Sequence, residues 1–580
     1  MTNERRSARS WPWWAALAAS VVVAFLPALR CQFVNWDDDI NFLDNPDYRG
    51  LSPTHLKWMF RTFLMGHYQP LSWVTLGLDY VVWGMNPFGY HLTSLLLHAL
   101  GVCVFFEVLR TLFGLVAGLQ GVDEKAKLRA AFIGALFFGI HPLRVESVVW
   151  ITERRDVLCG VFFLLSILMY LRMHERASAG LPWKKAYWLS VVFFACSLLS
   201  KALGIALPAV LLVLDAWPLR RLETGQRAAT LSRKVPYVLV ALLDGLVMLL
   251  AMRQLGTVRS IHQYDFFERA LQAAYGVCFY VGKSLLPFGL APLYPSDVSS
   301  GPTRVATVAS LVGIVGVTAL LILRWKRWPA LLTGWVSYIL LVSPVLGLVV
   351  TGRQVAADRY TYLACLPFAA LLGGAFARLR PEQARRLGPA LAGVFVLCGI
   401  LTLRQAGVWE NGGTLWSRQI RIFPDNAEGY YYRGLFLEAG KQRADALRDY
   451  DKMLQLAPEF ASGYFTRGAL RAELGDWSGA VADYSEHLKR APNSEKARYH
   501  RGLAFMALGN AAAARADFTE ALVMNPTRVD AWVQRARAQV RLGRQDAALD
   551  DYAEAIRLAP AGGDTLESVR KLLEEARGNK

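Results

Sequence analysis

The sequence predicts an all-α chain in two parts, a polytopic helical membrane core followed by a soluble solenoid of helix pairs. Three observations carry that prediction. Hydrophobic residues make up 54% of the 580 residues and the mean hydropathy is positive, the composition of a membrane protein. Apolar runs of helical length recur from residue 11 to about residue 404. Beyond about residue 424 they stop, and prolines recur at Pro424, Pro458, Pro492, Pro526 and Pro560, each 34 residues after the last.

The first apolar run, WPWWAALAASVVVAFLPAL from Trp11, follows the basic stretch ERRSAR. It is long enough to span a bilayer and lacks a clear small-x-small cleavage site, so it reads as a retained anchor with its N-terminus in the cytoplasm. Further apolar segments lie near residues 91–113, 130–143, 157–171, 186–200, 202–217, 236–252, 303–323, 329–350, 358–377 and 388–404. Basic stretches test their order, because Lys and Arg collect in cytoplasmic loops. KAKLR from Lys125, RMHER with WKK, and PLRRLETGQRAATLSRK from Pro218 all fall inside on alternate counting. The segment from Glu268 to about residue 290 decides the remainder. If it lies in the interface or re-enters, the basic stretches around Arg324 and Arg378 also fall inside. Residues 1–404 are therefore expected to form about eleven helices with an outer loop over 31–90, and the C-terminal part is expected outside the cytoplasm.

Residues 405–426 read as a linker. Residues 427–562 read as four repeats of the tetratricopeptide period, and residues 563–580 as a capping helix and tail. An Arg-Gly pair recurs at Arg433, Arg467 and Arg501, decaying to Arg535-Ala536. Ala446, Ala480, Ala514 and Ala548 fill a small position, and Tyr450, Tyr484, Phe518 and Tyr552 a large aromatic one. A concave groove for a protein partner follows, with Arg467, Arg498, Arg501 and Arg535 as candidate carboxylate contacts or as an ordinary solvated face.

The net charge of +18 fits cytoplasmic loops and anionic lipid, not nucleic acid. Seven scattered cysteines without a CxxC pair make no case for a disulfide framework or a zinc site.

Residues 33–47 carry five aspartates directly after the first apolar run. Asp44 and Asp47 suit turns and caps. Asp37, Asp38 and Asp39 are consecutive, and adjacent like charges raise one another's proton affinity, which suits a general base. The Asp-x-Asp spacing also permits a divalent cation, although three residues are too few to be specific. The other outer segments add His67, His91, His98, His141, Arg144, Glu146, Glu153, Arg154, Arg155, Asp156, Lys201, Asp358, Arg359 and Tyr360. Ionisable groups at membrane depth mark a site or a partner, and cations facing carboxylates suit a lipid phosphate. His98, inside an apolar run, reads as a helix-to-helix hydrogen bond.

The motifs WDDD, HYQPLSW, NPFGYHLTSLLLHAL, HPLRVESVVWITERRDVL, the Lys201 segment and AADRYTYL together resemble bacterial membrane glycosyltransferase-like proteins with C-terminal tetratricopeptide repeats. These are similar to the transmembrane and tetratricopeptide-repeat O-mannosyltransferases. The resemblance implies a GT-C-like core in the bacterial plasma membrane, a polyprenyl-phosphate-linked sugar donor and a Ser or Thr acceptor on extracytoplasmic proteins. It implies inverting transfer with Asp37 or Asp38 as base, no nucleic acid partner, and no cofactor, a metal being disfavoured. Arg154, Arg155, Lys201 and Arg359 are the expected donor-phosphate contacts, Asp358 an expected substrate-binding residue beside them, and His67, His91, His141 and Glu146 the expected pocket. The rival expectation is a membrane-anchored scaffold without catalysis.

Overall fold

The computed structural model describes residues 10–222, 226–254, 266–295, 301–347, 354–560 and 564–578; the basic stretch at residues 4–9 lies outside them. The described chain is helical apart from one short antiparallel pair, Tyr294–Pro295 with Gln354–Ala356. It divides into two compact units, Met1–Ile422 and Phe423–Lys580.

In the first unit, five described helices are long and apolar enough to cross a membrane. They are Pro87–Leu115, Ile151–Ser178, Arg227–Ala251, Arg304–Leu323 and Pro381–Val408. Two bent pairs, broken after Gly139 and after Ala364, raise the number to seven if each is one span. Trp11–Ala24, Ala202–Ala216 and Pro329–Val345 are apolar but shorter. The difference from eleven full crossings thus comes from short and broken helices, a geometry that membrane proteins tolerate where protein surrounds the break. Phe266–Leu285 is not among the spanning helices.

Small residues set the closest approach. A Cβ on Gly134 would fall 2.7 Å from the Ala369 carbonyl oxygen, and one on Gly373 would fall 2.5 Å from that of Ala130. The helices Glu124–Gly139 and Leu366–Ala377 therefore pack backbone to backbone, as small residues allow in membranes. His98 joins three segments, its ring nitrogens 2.9 Å from the Tyr362 hydroxyl and 2.9 Å from the Gly139 carbonyl. It is the structural residue its apolar surroundings imply.

The stretch expected as a linker, residues 405–426, is mostly helical. Pro381–Val408 runs into it, and Gly412–Ile422 follows with Leu415, Trp416 and Gln419 buried on one side. Its apolar positions recur at helical spacing, which polar neighbours mask in a simple search for apolar runs.

In the second unit four helix pairs follow one another from Ala427–Ala439 to Gln545–Leu558, and Asp564–Gly578 packs on the last pair. The small and aromatic repeat positions are buried: Ala446, Ala480, Ala514 and Ala548 entirely, and Tyr450, Tyr484, Phe518 and Tyr552 almost so. The aromatic ring lies against the glycine of its own repeat and also packs on the next repeat, the Tyr484 ring centroid lying 6.0 Å from that of His500. A Cβ on Gly434 would meet the Tyr450 ring at 2.4 Å, and one on Gly502 the Phe518 ring at 2.6 Å.

The repeat arginines also differ from expectation. Each of Arg433, Arg467, Arg501 and Arg535 makes a two-pronged bond to the aspartate sixteen residues on, at 2.6 to 2.9 Å. Those aspartates, Asp449, Asp483, Asp517 and Asp551, are buried. Arg498 donates to the Pro492 carbonyl at 2.8 Å. These arginines brace the helix pairs and do not stand free to receive a partner's carboxylate, because a buried aspartate without its cation is costly.

Candidate active site

The aspartate loop follows Leu26–Arg30 and turns back on itself. Asp37 has φ of 62°, in the left-handed region that L-residues other than Asn and Asp rarely occupy. The turn is closed by an Asn41 N–H donating to the Asp37 carbonyl at 2.9 Å. Strain of this kind concentrates at functional sites.

The turn gives neighbouring aspartates different surroundings. Asp38 is buried, and its carboxylate accepts from Val34 N at 3.0 Å, Thr152 N at 3.2 Å and Thr152 Oγ1 at 2.6 Å. It fastens the loop to the start of the helix Ile151–Ser178. Burial pushes its pKa up to about 7, against the pull of those hydrogen bonds. Asp37 is half-buried and its carboxylate accepts no hydrogen bond among the described residues. Burial raises it above the ordinary range, opposed by the positive fields of Arg155 and Arg359. Desolvation, not the run of like charges, is the main cause in both.

Trp36 anchors the other side of the loop. It stacks on Trp150 at 4.7 Å between ring centroids and lies 6.2 Å from Trp409 and 5.3 Å from Trp416. The Trp150 indole N–H donates to the Trp36 carbonyl at 3.1 Å. Trp409 and Trp416 come from the stretch expected as a linker, so the end of the first unit closes over its beginning.

Beside Asp37 three cations converge on one carboxylate, Glu153. Arg155 Nη2 lies 2.7 Å from it, Lys201 Nζ 2.6 Å and Arg359 Nε 3.3 Å. Lys201 also reaches Asp156 at 2.6 Å, and Asp156 in turn accepts from Ser147 Oγ at 3.0 Å. Arg359 is paired with Glu146, which also accepts the Arg359 backbone N–H at 2.8 Å. The Arg359 guanidinium lies 5.4 Å from the Trp150 ring centroid. Three cations thus face Glu146, Glu153 and Asp156 with no net charge, and hydrogen-bond donors are left over. Lys201 uses two N–H groups on carboxylates and keeps a third. Arg155 Nη1 reaches nothing nearer than Gln69 at 3.5 Å. Lys201 is the most exposed of the three, its side chain 17% accessible against 10% for Arg155 and 9% for Arg359.

His67 completes the rim. Burial and the cations Arg155 and Lys201 lower its pKa to about 3, so it stands neutral, without a hydrogen-bond partner among the described residues.

Asp37, Arg155, Lys201, Arg359, Glu146 and His67 therefore gather around one cluster, and Asp38 supports it. Four expected members do not join it. Arg154 is fully buried and spends its guanidinium on Asp79 at 2.5 Å, Ser94 Oγ at 2.9 Å and the Tyr90 carbonyl at 2.5 Å. It leaves the helix about 100° around the axis from Arg155, because an α-helix has 3.6 residues per turn. His141 bonds the Ser284 carbonyl at 3.1 Å and accepts the Leu143 N–H at 3.3 Å, capping the short turn Pro142–Arg144. His91 is buried against the backbone of Cys31, Gln32 and Val149, away from the cluster. Asp358 accepts from the Tyr294 hydroxyl at 2.8 Å and ties the strand pair to the core.

Glu153 and Asp156 stood among the outer ionisable residues with no role assigned, and Thr152 and Gln69 were not among the expected site residues. The run TERRD carried a signal for the first two, since acids interleaved with arginines at a membrane helix start imply internal pairing. Among the described residues no group of three or more His, Cys, Asp or Glu side chains is arranged to hold a metal ion.

Comparison with known proteins bears on both units. Residues 465–527 and 499–563 match the family model described as tetratricopeptide repeat. Human protein O-mannosyl-transferase TMTC4 is 31% identical over 222 residues, covering 35% of this chain and 29% of that protein. Human protein O-mannosyl-transferase TMTC1 is 29% identical over 238 residues, covering 38% of this chain and 25% of that protein. The match thus spans less than a third of the length of these relatives. Among solved structures, the crystal structure of MamA is 17% identical, covering 29% of this chain and 94% of that one, with a TM-score of 0.25. Over about a third of its length the chain is similar to the TMTC protein O-mannosyl-transferases, and its C-terminal part carries tetratricopeptide repeats.

Proposed function

We propose that this chain is an inverting membrane glycosyltransferase of GT-C type. It moves a sugar, mannose by analogy with the named relatives, from a polyprenyl phosphate to a Ser or Thr hydroxyl outside the cytoplasm of a bacterial cell. The observation that carries the proposal is the juxtaposition of the unbonded Asp37 carboxylate with the Arg155 and Arg359 guanidinium groups, which share Glu153 with Lys201. The domain arrangement proposed with it is a membrane core over residues 1–404 and four repeats over 427–562.

In this reading Asp37 accepts the proton of the acceptor hydroxyl while its oxygen attacks the anomeric carbon. The bond from that carbon to the phosphate oxygen breaks, the configuration inverts, and polyprenyl phosphate leaves with the electron pair. The Lys201, Arg155 and Arg359 donors left over by Glu153 meet the developing charge on the phosphate. Because the cluster is neutral overall, it binds through directed donors rather than through a strong positive field, which suits a singly charged sugar phosphodiester. Base assistance is worth about a hundred- to ten-thousand-fold. Asp38 sets the loop's conformation and stays off the substrate. The repeats dock the acceptor or a partner enzyme.

The test is glycopeptide mass spectrometry of envelope proteins from cells making wild-type, Asp37→Asn or Asp38→Asn protein at matched membrane levels. Asp37→Asn is expected to abolish hexose on specific peptides without loss of thermal stability, whereas Asp38→Asn lowers stability and activity together. Unchanged glycopeptides in Asp37→Asn, and equally in a deletion strain, would favour the non-catalytic scaffold.

A further inference from the structure

The first unit holds a second feature that the transfer reaction does not use, an apolar cavity of about 530 Å³. Its walls come from the second half of the helix Pro87–Leu115, from residues 163–171, from the short helix ending at Ala216, and from Pro329–Val342 and Leu366–Ala377. It lies away from the aspartate loop. Arg155 begins the helix whose residues 163–171 line the cavity, and at about 1.5 Å per residue these stand roughly 12 to 24 Å further along.

The rim has a different chemistry from the walls. Lys326, Arg327 and Arg378 border the cavity and are exposed, and none has a carboxylate within ion-pair distance among the described residues. Trp217 and Trp328 lie beside them. Cations with tryptophans at one end of an apolar cleft match a lipid headgroup boundary. These are the same basic turns that the distribution of Lys and Arg assigns to the cytoplasmic face. Two of the short apolar helices, Ala202–Ala216 and Pro329–Val345, flank the cleft. At about 1.5 Å per residue both are shorter than the roughly 30 Å hydrocarbon core, which leaves a gap between helices at that face.

We propose that this cleft is a binding site for an anionic phospholipid of the leaflet opposite the aspartate loop. An acyl chain fills the apolar walls and the headgroup phosphate meets Lys326, Arg327 and Arg378. The proposal holds whether or not the aspartate loop transfers sugar. Charge complementarity selects the occupant: three unpaired cations at the mouth would repel a basic peptide and give a zwitterionic lipid little advantage.

The test is native mass spectrometry of the full chain in detergent, titrated with phosphatidylglycerol or phosphatidylcholine of identical acyl chains. The wild type is expected to retain phosphatidylglycerol preferentially. Lys326→Gln, Arg327→Gln and Arg378→Gln combined should weaken that adduct by about a hundred-fold, to the phosphatidylcholine level. Ala370→Phe, which fills the cleft and leaves the cations, should remove the adducts of both lipids. Equal retention of the two lipids by the wild type, or an unchanged preference in the triple variant, would overturn the proposal. So would displacement of phosphatidylglycerol by an equimolar polyprenyl phosphate. If Ala370→Phe does not fold, the triple variant decides, since it alters exposed side chains alone.

Discussion

Arginine does opposite work in the two units. In the repeats each of Arg433, Arg467, Arg501 and Arg535 grips the buried aspartate sixteen residues on by two parallel bonds, and the arrangement recurs four times with little change. At the membrane cluster Arg155, Lys201 and Arg359 share Glu153, so no cation has its donors used up by one partner. The first pattern makes a strut, because each two-pronged pair ties together the two helices of one repeat. The second holds cations in place while keeping N–H groups for something else. Counting arginines on a face cannot separate these cases; tracing which groups each arginine joins does.

The sharpest way to break the comparison is to remove the shared carboxylate. Glu153→Gln leaves three cations around a neutral side chain, and losing one partner of a buried ion pair costs about 3–5 kcal/mol. Thermal unfolding of the first unit should show a loss of that size, with glycopeptide formation falling further than stability alone explains. A variant with wild-type melting would show that Glu153 does not hold the cluster.

The matching change in the repeats should be smaller. Asp483→Asn removes the charge that meets both Arg467 and Arg471, and these arginines keep partial access to water. We expect a loss of about 1–3 kcal/mol in the unfolding of the second unit. Hexose transfer to a free peptide acceptor should be unaffected. Loss of transfer with intact repeats would mean that the strut reading is incomplete.

The effects of pH sharpen the contrast within the aspartate loop. Asp38, raised in the folded state to about 7, binds its proton more tightly folded than unfolded. Its contribution to stability is therefore complete below the unfolded carboxyl range near pH 4 and is lost as pH rises toward 7. His67, lowered to about 3, is held neutral by the fold, so its contribution is present above about pH 6.5 and is lost as pH falls toward 3. Melting temperatures between pH 4 and 7 should fall less steeply with rising pH in Asp38→Asn than in wild type. In His67→Gln they should lose the acid-side decline. Parallel profiles in all three proteins would remove both groups from the pH response.

The 34-residue period specified the repeat helices and their capping helix by itself, because a local unit repeated in register has to bury the same small and aromatic positions each time. Apolar runs likewise marked helices long and apolar enough to cross a membrane, and the aspartate triplet marked the loop proposed to carry the site. Which charge does what was decided in three dimensions. Arg154 and Arg155 are indistinguishable in the run ERRD, yet the helix turns one to Asp79 and the other to Glu153. Asp37 and Asp38 are likewise equivalent as letters. A left-handed residue and the distant Thr152 separate a carboxylate facing the cations from one locked in place. Trp36 finds Trp150, Trp409 and Trp416 across hundreds of residues. Composition and period act along the chain and can be read there; ion pairing and desolvation depend on which segments the fold brings together.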